Sequence, residues 1–298
     1  MAEITFSQKN PAYPLMCASF RAMHTKVELL AVGVDDEKGR DLMQRAEAEV
    51  RRLERLLSCH DDASPLSALN SLAWEQSVEA EDELYMVLEL CETFRRATYG
   101  YFDVTAMCSE TDGVMSLAGG YSLDAKHHSV RFCRKGVKID LGGFAKGYAL
   151  DCIKRMSQQE GITQGVINFG NSSIAALGHH PYGEWWPIGI EHRMVKSALA
   201  QEVRLADSAM SISGRSEAGE YHIIDPHTGS RVAGEELILI EGRSALVCEV
   251  LSTALYAAPR AKRADIMSQY DGYRASEIVC RRDGTTECRV VGATVVEK

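Results

Sequence analysis

The sequence predicts an α+β fold, with mixed sheets and packed helices. Segments of helical period and strand-like segments are interspersed without βαβ alternation. No internal repeat, low-complexity tract or linker-like stretch interrupts them. Of the 298 residues, 45% are hydrophobic and 25% charged, which excludes a disordered chain, a collagen-like repeat and a disulfide-only scaffold. We expect an irregular lead-in over residues 1–19 and a single domain over residues 20–298.

Taken in order, Lys26–Val34 is apolar enough for a strand. Glu37–Cys59 follows as an amphipathic helix, with Leu42, Ala46, Val50, Leu53 and Leu57 three and four apart. Asp61–Ser64 breaks it. Glu81–Thr98 predicts a second helix with Leu84, Leu88, Cys91 and Phe94 on one face, ended by Gly100. Residues 107–120 carry no period and are expected to be loop. Ser129–Asp140 predicts two strands around a turn at Gly136. Gly142–Gln159 returns to helical spacing, with Ala145, Ala149, Cys152 and Met156 as its face and Gly161 as the stop. Short strands are expected at Gln164–Asn168, Trp186–Glu191 and Leu237–Glu241. Ser244–Ala258 is a helix closed by Pro259, and Glu277–Arg281 and Arg289–Val296 are the final strands.

The formal charge is 33 − 42 = −9, and such an acidic surface repels phosphate backbones. Nucleic acid is therefore not an expected partner. A nucleotide ligand remains compatible, because backbone N–H groups or a metal offset the global field locally. Nine cysteines, at 17, 59, 91, 108, 133, 152, 248, 280 and 288, show no CxxC spacing. Neither a zinc site nor a thioredoxin-like motif is indicated, and the usage points to a reducing compartment. Cys91, Cys152 and Cys248 sit among apolar residues, as buried small hydrophobes do. The first twenty residues show no basic-then-apolar leader. Leu15-Met16-Cys17 lacks the apolar run of a lipoprotein signal, and no stretch reaches a membrane span. The expected location is cytoplasmic.

Three segments can carry chemistry. In Val137–Asp151 (VKIDLGGFAKGYALD) a strand ends at Asp140, glycines follow at 142, 143 and 147, and a helix begins. Free N–H groups at that helix start and the Lys146 ammonium suit an anion such as a pyrophosphate. The plain alternative is a tight strand-to-helix turn with a solvated lysine. In Tyr221–Gly229 (YHIIDPHTG), Asp-Pro and Thr-Gly are turn chemistry, and His222 beside two isoleucines is either a base of tuned pKa or a packed core histidine. Glu249 and Thr253, at i and i+4, share a helix face. They offer hard oxygen ligands for Mg²⁺, or simply a side-chain hydrogen bond.

In chain order these segments join FRAMHT (20–25), LSCHDDASPLSALN (57–70), ATYGYFDVT (97–105), VINFGNSS (166–173) and SISG (211–214). The DLGGFAKGYALD and HIIDPHTG blocks, in that order and spacing, give a sequence that resembles the bacterial flavin transferases, the FAD:protein FMN transferases of the ApbE type. The resemblance runs from about residue 20 to 258. It implies FAD as substrate, a divalent metal (usually Mg²⁺), and transfer of FMN through its phosphate to a Thr or Ser hydroxyl of an acceptor flavoprotein, with AMP released. It further implies flavin or FAD contacts at Met23, Tyr101, Phe102, Asp103, Asp140, Lys146 and Ile224. The implied metal ligands are the Gly143 carbonyl, Glu249 and Thr253, and the implied general base is His222.

The chain departs from the family pattern at four places. His24 replaces the usual glycine after the methionine, and His60 replaces a tyrosine after the first helix. Asn168-Phe169-Gly170-Asn171 stands for NxGG, and Glu249 for an aspartate. Two alternatives share the same site. One is Mg²⁺-dependent hydrolysis of FAD to FMN and AMP; the other is a flavin-binding protein without transferase activity.

Overall fold

A computed structural model describes residues 3–7, 13–106, 119–215 and 222–292. Its centre is a nine-stranded antiparallel sheet. The strands in chain order are β1 (Glu3–Ser7), β2 (Leu15–Ala22), β3 (Thr25–Val32), β7 (Gly165–Phe169), β8 (Ser173–Leu177), β11 (Ala209–Ser213), β12 (Leu237–Gly242), β13 (Arg274–Cys280) and β14 (Thr286–Val290), and they are neighbours in that same order. A small sheet of β4 (Val78–Glu79), β6 (Ser129–Phe132) and β5 (Tyr121–Asp124) flanks it, as does a hairpin of β9 (Trp186–Glu191) and β10 (Leu199–Leu205).

Side-chain alternation decides which face each strand covers. Along β2, Met16, Ala18, Phe20 and Ala22 turn inward while their neighbours face outward. The central strands β8 and β12 instead carry unbroken buried apolar runs, Ile174–Leu177 and Leu237–Ile240, because layers cover both of their sides. On one side lie α1 (Asp36–Leu57), α4 (Ala145–Gln159) and α5 (Ala245–Ala257), packed on Ile167, Phe169, Ala175, Ile238 and Ile240. On the other side, Trp186, Ile190, Val203 and Leu205 of the β9–β10 hairpin pack on Ile174, Met210, Leu237 and Leu239. The remaining helices are α2 (Pro65–Leu72), α3 (Asp82–Ala97) and α6 (Arg260–Met267). The α+β expectation holds.

Several elements differ from the sequence reading. The lead-in is not irregular where it is described: β1 and β2 pair from Glu3↔Ser19 to Ser7↔Leu15. The break at Asp61–Ser64 is real, but it leads into the unforeseen α2, where the Ser64 hydroxyl caps the helix from Ser67 N–H at 2.9 Å and Pro65 takes the first turn. Val137–Asp140 is not a strand. The Asn70 side chain serves both sides of the Ile139 peptide, at 2.8 and 2.9 Å, and Asp140 N–H donates to Val104 O. On α4 the buried face runs through Gly147, Leu150, Ile153, Lys154 and Ser157; of the four expected positions only Ala149 is fully buried. The last described strand runs Thr286–Val290 and is followed by a turn at 291–292; positions 293–296 of the expected strand lie outside the described residues. The expected loop at 107–120 lies outside the described residues except for its last two.

Candidate functional site

Helices α4 and α5 lie close enough that a Cβ on Gly147 would stand 2.7 Å from Ala245 O and 2.8 Å from Glu249 Cβ. Only glycine fits there. Asp151 fixes the register of the pair, accepting from Ser244 Oγ at 2.6 Å, Ala245 N–H at 2.8 Å and Leu246 N–H at 3.1 Å. A carboxylate thus caps the start of α5, where the helix dipole favours negative charge. The crossing brings Lys146 Nζ to 2.6 Å from Glu249 Oε1. Lys146 also donates to Gly142 O at 3.2 Å, and Gly142 N–H donates to Asp140 Oδ1 at 2.8 Å.

Glu249 is 4% exposed, and a carboxylate so buried needs partners. Its second oxygen accepts from Ser173 Oγ, and from Ser211 Oγ at 3.5 Å. Ser252 ties the same wall to Ser211 and Ser213 at 3.1 and 2.8 Å. Thr253, one turn beyond Glu249, presents its hydroxyl to Gly143: a Cβ on that glycine would lie 3.2 Å from Thr253 Oγ1. These oxygens form a hard donor set beside one ammonium.

This floor opens into a cavity of about 1090 Å³. Ten of the eleven site residues named from the sequence line it: Tyr101, Phe102, Asp103, Asp140, Gly143, Lys146, His222, Ile224, Glu249 and Thr253. Met23 does not. It occupies the two-residue β2–β3 turn with φ +50°, its N–H donates to Glu54 Oε1 at 2.5 Å, and its side chain packs on the core. His222 is exposed at the cavity, not partly buried; Ile223 beside it takes the buried place.

Asp103 is spent on its own loop, accepting from Thr105 N–H and Oγ1 at 2.8 and 2.6 Å and from Gly119 N–H at 2.9 Å. That loop is pinned to the 222–229 turn, because His227 Nε2 lies 3.1 Å from Tyr99 O and its ring 4.4 Å from that of Tyr101. Asn168 donates to Asn171 Oδ1 at 2.8 Å and to Glu28 Oε2 at 2.9 Å, holding the 168–171 turn at the cavity wall.

Sequence reasoning assigned no role to Ser173, Ser211, Asp151 or His227, although each stands inside a quoted block. It also missed a cluster at the cavity's edge. Cys59, His60 and Asp140 offer ligand atoms that all lie within 4.8 Å of one another, and the His24 ring stands edge-on to His60 at 6.0 Å. CxxC spacing could not have revealed a group drawn from positions 59, 60 and 140. Burial and the Asp140 charge push the Cys59 thiol above its usual range.

A sequence model of the ApbE family matches residues 23–276. The chain is 22% identical over 266 residues to an FAD:protein FMN transferase of Klebsiella pneumoniae (strain 342), a match covering 76% of this chain and 74% of that one. To the FAD:protein FMN transferase of Treponema pallidum (strain Nichols) it is 25% identical over 271 residues, with the same coverage. Among solved structures, an ApbE protein from Thermotoga maritima superposes with a TM-score of 0.76 at 22% identity, covering 92% of this chain and 96% of that one. The flavin transferase ApbE from Vibrio cholerae gives 0.75 at 18% identity, covering 97% of both. At these identities the structural likeness speaks for the fold.

Proposed function

The chain belongs to the ApbE family, and from that membership we propose that it moves FMN from FAD to a Thr or Ser hydroxyl of an acceptor flavoprotein, releasing AMP. The observation that carries this reading is the floor of the cavity. There a buried carboxylate, an ammonium and a ring of hydroxyl and peptide oxygens face a space large enough for a dinucleotide.

The reaction forms a bond between the acceptor oxygen and the phosphorus of the FMN half. It breaks the bond from that phosphorus to the oxygen that leaves with AMP. Such transfers need positioning and charge neutralisation more than covalent chemistry. We assign Lys146 to the diphosphate, because its ammonium hangs on the first turn of α4 beside the Gly142–Gly143 turn that lines the cavity. His222 stands exposed at the cavity and is assigned to accept the hydroxyl proton as the new bond forms. Tyr101, Phe102 and Ile224 supply the apolar walls against which the flavin end would rest, with Asp140 and the Asp103 loop beside them.

The donor set fits Mg²⁺, which prefers few protein oxygens and completes its shell with water and phosphate. Glu249, the Thr253 hydroxyl and the Gly143 carbonyl would hold it, and when bound it would neutralise the diphosphate and the departing AMP. Glu249 is already paired with Lys146, so the ammonium must swing toward the anionic substrate for the carboxylate to serve a metal. Met23, outside the cavity, is not assigned to the flavin. The cavity opens to a partner's side chain, and the location we propose for that partner is cytoplasmic. No helix among the described residues is long and apolar enough to cross a membrane.

The test is mass spectrometry of candidate acceptors incubated with the protein, FAD and Mg²⁺. Transfer adds one FMN moiety to a Thr or Ser and releases AMP in equal amount. AMP without any modified acceptor would instead make the protein a hydrolase. No AMP and no modification, with FAD bound, would make it a binding protein.

A further inference from the structure

We propose that Cys59, His60 and Asp140 form a site for a borderline-soft divalent cation of the zinc class, separate from the oxygen-lined floor of the cavity. The three side chains bring a thiol, an imidazole and a carboxylate together, each offering one ligand atom within 4.8 Å of the other two. In a tetrahedral zinc site, ligand atoms stand about 3.3–3.8 Å apart, given metal–ligand lengths of about 2.0–2.3 Å. Closing the remaining ångström falls to His60, whose side chain is exposed and free of the core packing that holds Cys59.

The local backbone favours this grouping. Helix α1 ends at Leu57, and the Ser58 hydroxyl accepts from both His60 and Asp61 N–H at 3.2 Å. That turn lets two adjacent residues present their side chains to one point, which a strand would forbid. Across the gap, Gly142 N–H donates to Asp140 Oδ1 at 2.8 Å and orients the carboxylate as an outer partner of a ligand does. Cys59 Sγ and an Asp140 carboxylate oxygen lie within 4.8 Å of each other, so a metal would take the place of the thiol proton between two neighbouring groups. Three protein ligands leave a fourth position for water, or for His24, whose ring is 6.0 Å from that of His60.

Nitrogen and sulfur donors select zinc, cobalt or nickel over Mg²⁺, so the two sites do not compete for one ion. Asp140 also lines the cavity. A cation here therefore stands beside the cavity, and it can be tested without FAD or an acceptor.

The experiment titrates the reduced full-length chain with cobalt(II) and follows the thiolate-to-cobalt charge-transfer band, in excess Mg²⁺. The expected result is one equivalent bound and a band that Mg²⁺ leaves unchanged. Zinc should displace the cobalt, Cys59→Ser should abolish the band, and His60→Asn should weaken binding about tenfold or more. His60 is exposed, so its variant reports even if Cys59→Ser fails to fold. No charge-transfer band in the parent chain overturns the proposal. A band of equal intensity in Cys59→Ser, which would place the cobalt on another thiol, overturns it too, as does unchanged affinity in His60→Asn.

Discussion

Lys146 and Glu249 show how little freedom a buried charge has. Glu249 is held in a 4% exposed position by one ammonium and two serine hydroxyls. Lys146→Ala removes the ammonium and leaves the carboxylate with hydroxyl partners alone. We expect a loss of about 1–3 kcal/mol of stability. Mg²⁺ or Mn²⁺ should restore part of it by taking the vacated charge position. Thermal unfolding with and without metal checks this, and an unchanged Tm in both conditions would separate Lys146 from Glu249 energetically. His222 makes the opposite case. Because it is exposed, His222→Ala should shift stability by no more than about 0.5 kcal/mol and leave FAD affinity intact. Transfer should fall roughly 10²–10⁴-fold, the share a general base supplies. Full transfer activity in that variant would assign the proton elsewhere. Ten residues named from motif blocks line one cavity, because the backbone that positions them is local: a glycine turn, an i,i+4 pair, an Asp-Pro turn. Ser173 and Ser211 were not, since their meaning arises only when β8 and β11 carry them beneath α5. Met23 lies outside the cavity lining, in the hairpin turn closed by the Ala22↔Thr25 pair, with its side chain packed on the core.

At the scale of elements, the contact between α4 and α5 decides the site. Gly147→Ala puts a methyl within 2.8 Å of Ala245 O, Leu246 Cα and Glu249 Cβ, two of them backbone atoms that cannot swing aside. The helices must separate, at a cost of about 1–3 kcal/mol. The separation also lengthens the Lys146–Glu249 pair. Denaturant melts should register the first effect and a weaker metal-induced stabilisation the second; a variant as stable as the parent would contradict the packing. A different prediction concerns β12. Glu241 Oε1 is buried without a hydrogen-bond partner, and burial raises its carboxyl above the ordinary 4.5 while Arg274 only partly offsets it. A carboxyl whose folded pKa is raised destabilises the fold at pH values above that pKa, and the penalty disappears as pH falls below the unfolded value. Glu241→Gln should therefore raise Tm at pH 7, with the gain shrinking to nothing below about pH 4.5. A gain that persists in acid would rule out ionisation as its cause. Long amphipathic helices such as α1, with its Leu42–Leu57 stripe, were legible to within two residues. Helix α2 and the Val137–Asp140 segment were not. One cap and two buried leucines hold α2, while Val137–Asp140 has the composition of a strand but takes its hydrogen bonds from Asn70, some seventy positions away in the chain.

The whole molecule meets at the cavity. Its lining comes from the 101–106 loop, the start of α4, the wall of α5, strands β8, β9 and β11, and the 222–226 turn. Those pieces span both layers that sandwich the central sheet, so a ligand that fills the space links elements far apart in the chain. At about 1090 Å³ the cavity slightly exceeds the roughly 300–1,000 Å³ usual for drug-sized ligands. A mononucleotide would leave much of it to water. FAD should therefore bind more tightly than FMN, because the diphosphate reaches Lys146 while the AMP half occupies space that FMN leaves empty. The difference should appear in stability as well as affinity. A ligand at a hundred times its Kd adds about 2.7 kcal/mol to the folded state, and this gain shrinks as Kd approaches the ligand concentration. At one shared concentration FAD should then raise Tm well above the FMN value. Added salt should weaken both flavins, since each brings close to two negative charges within reach of Lys146. Calorimetry giving equal dissociation constants for the two flavins, with equal shifts in Tm, would mean that the AMP half finds no seat here. The cavity would then be a flavin pocket without the half of the molecule that transfer must release.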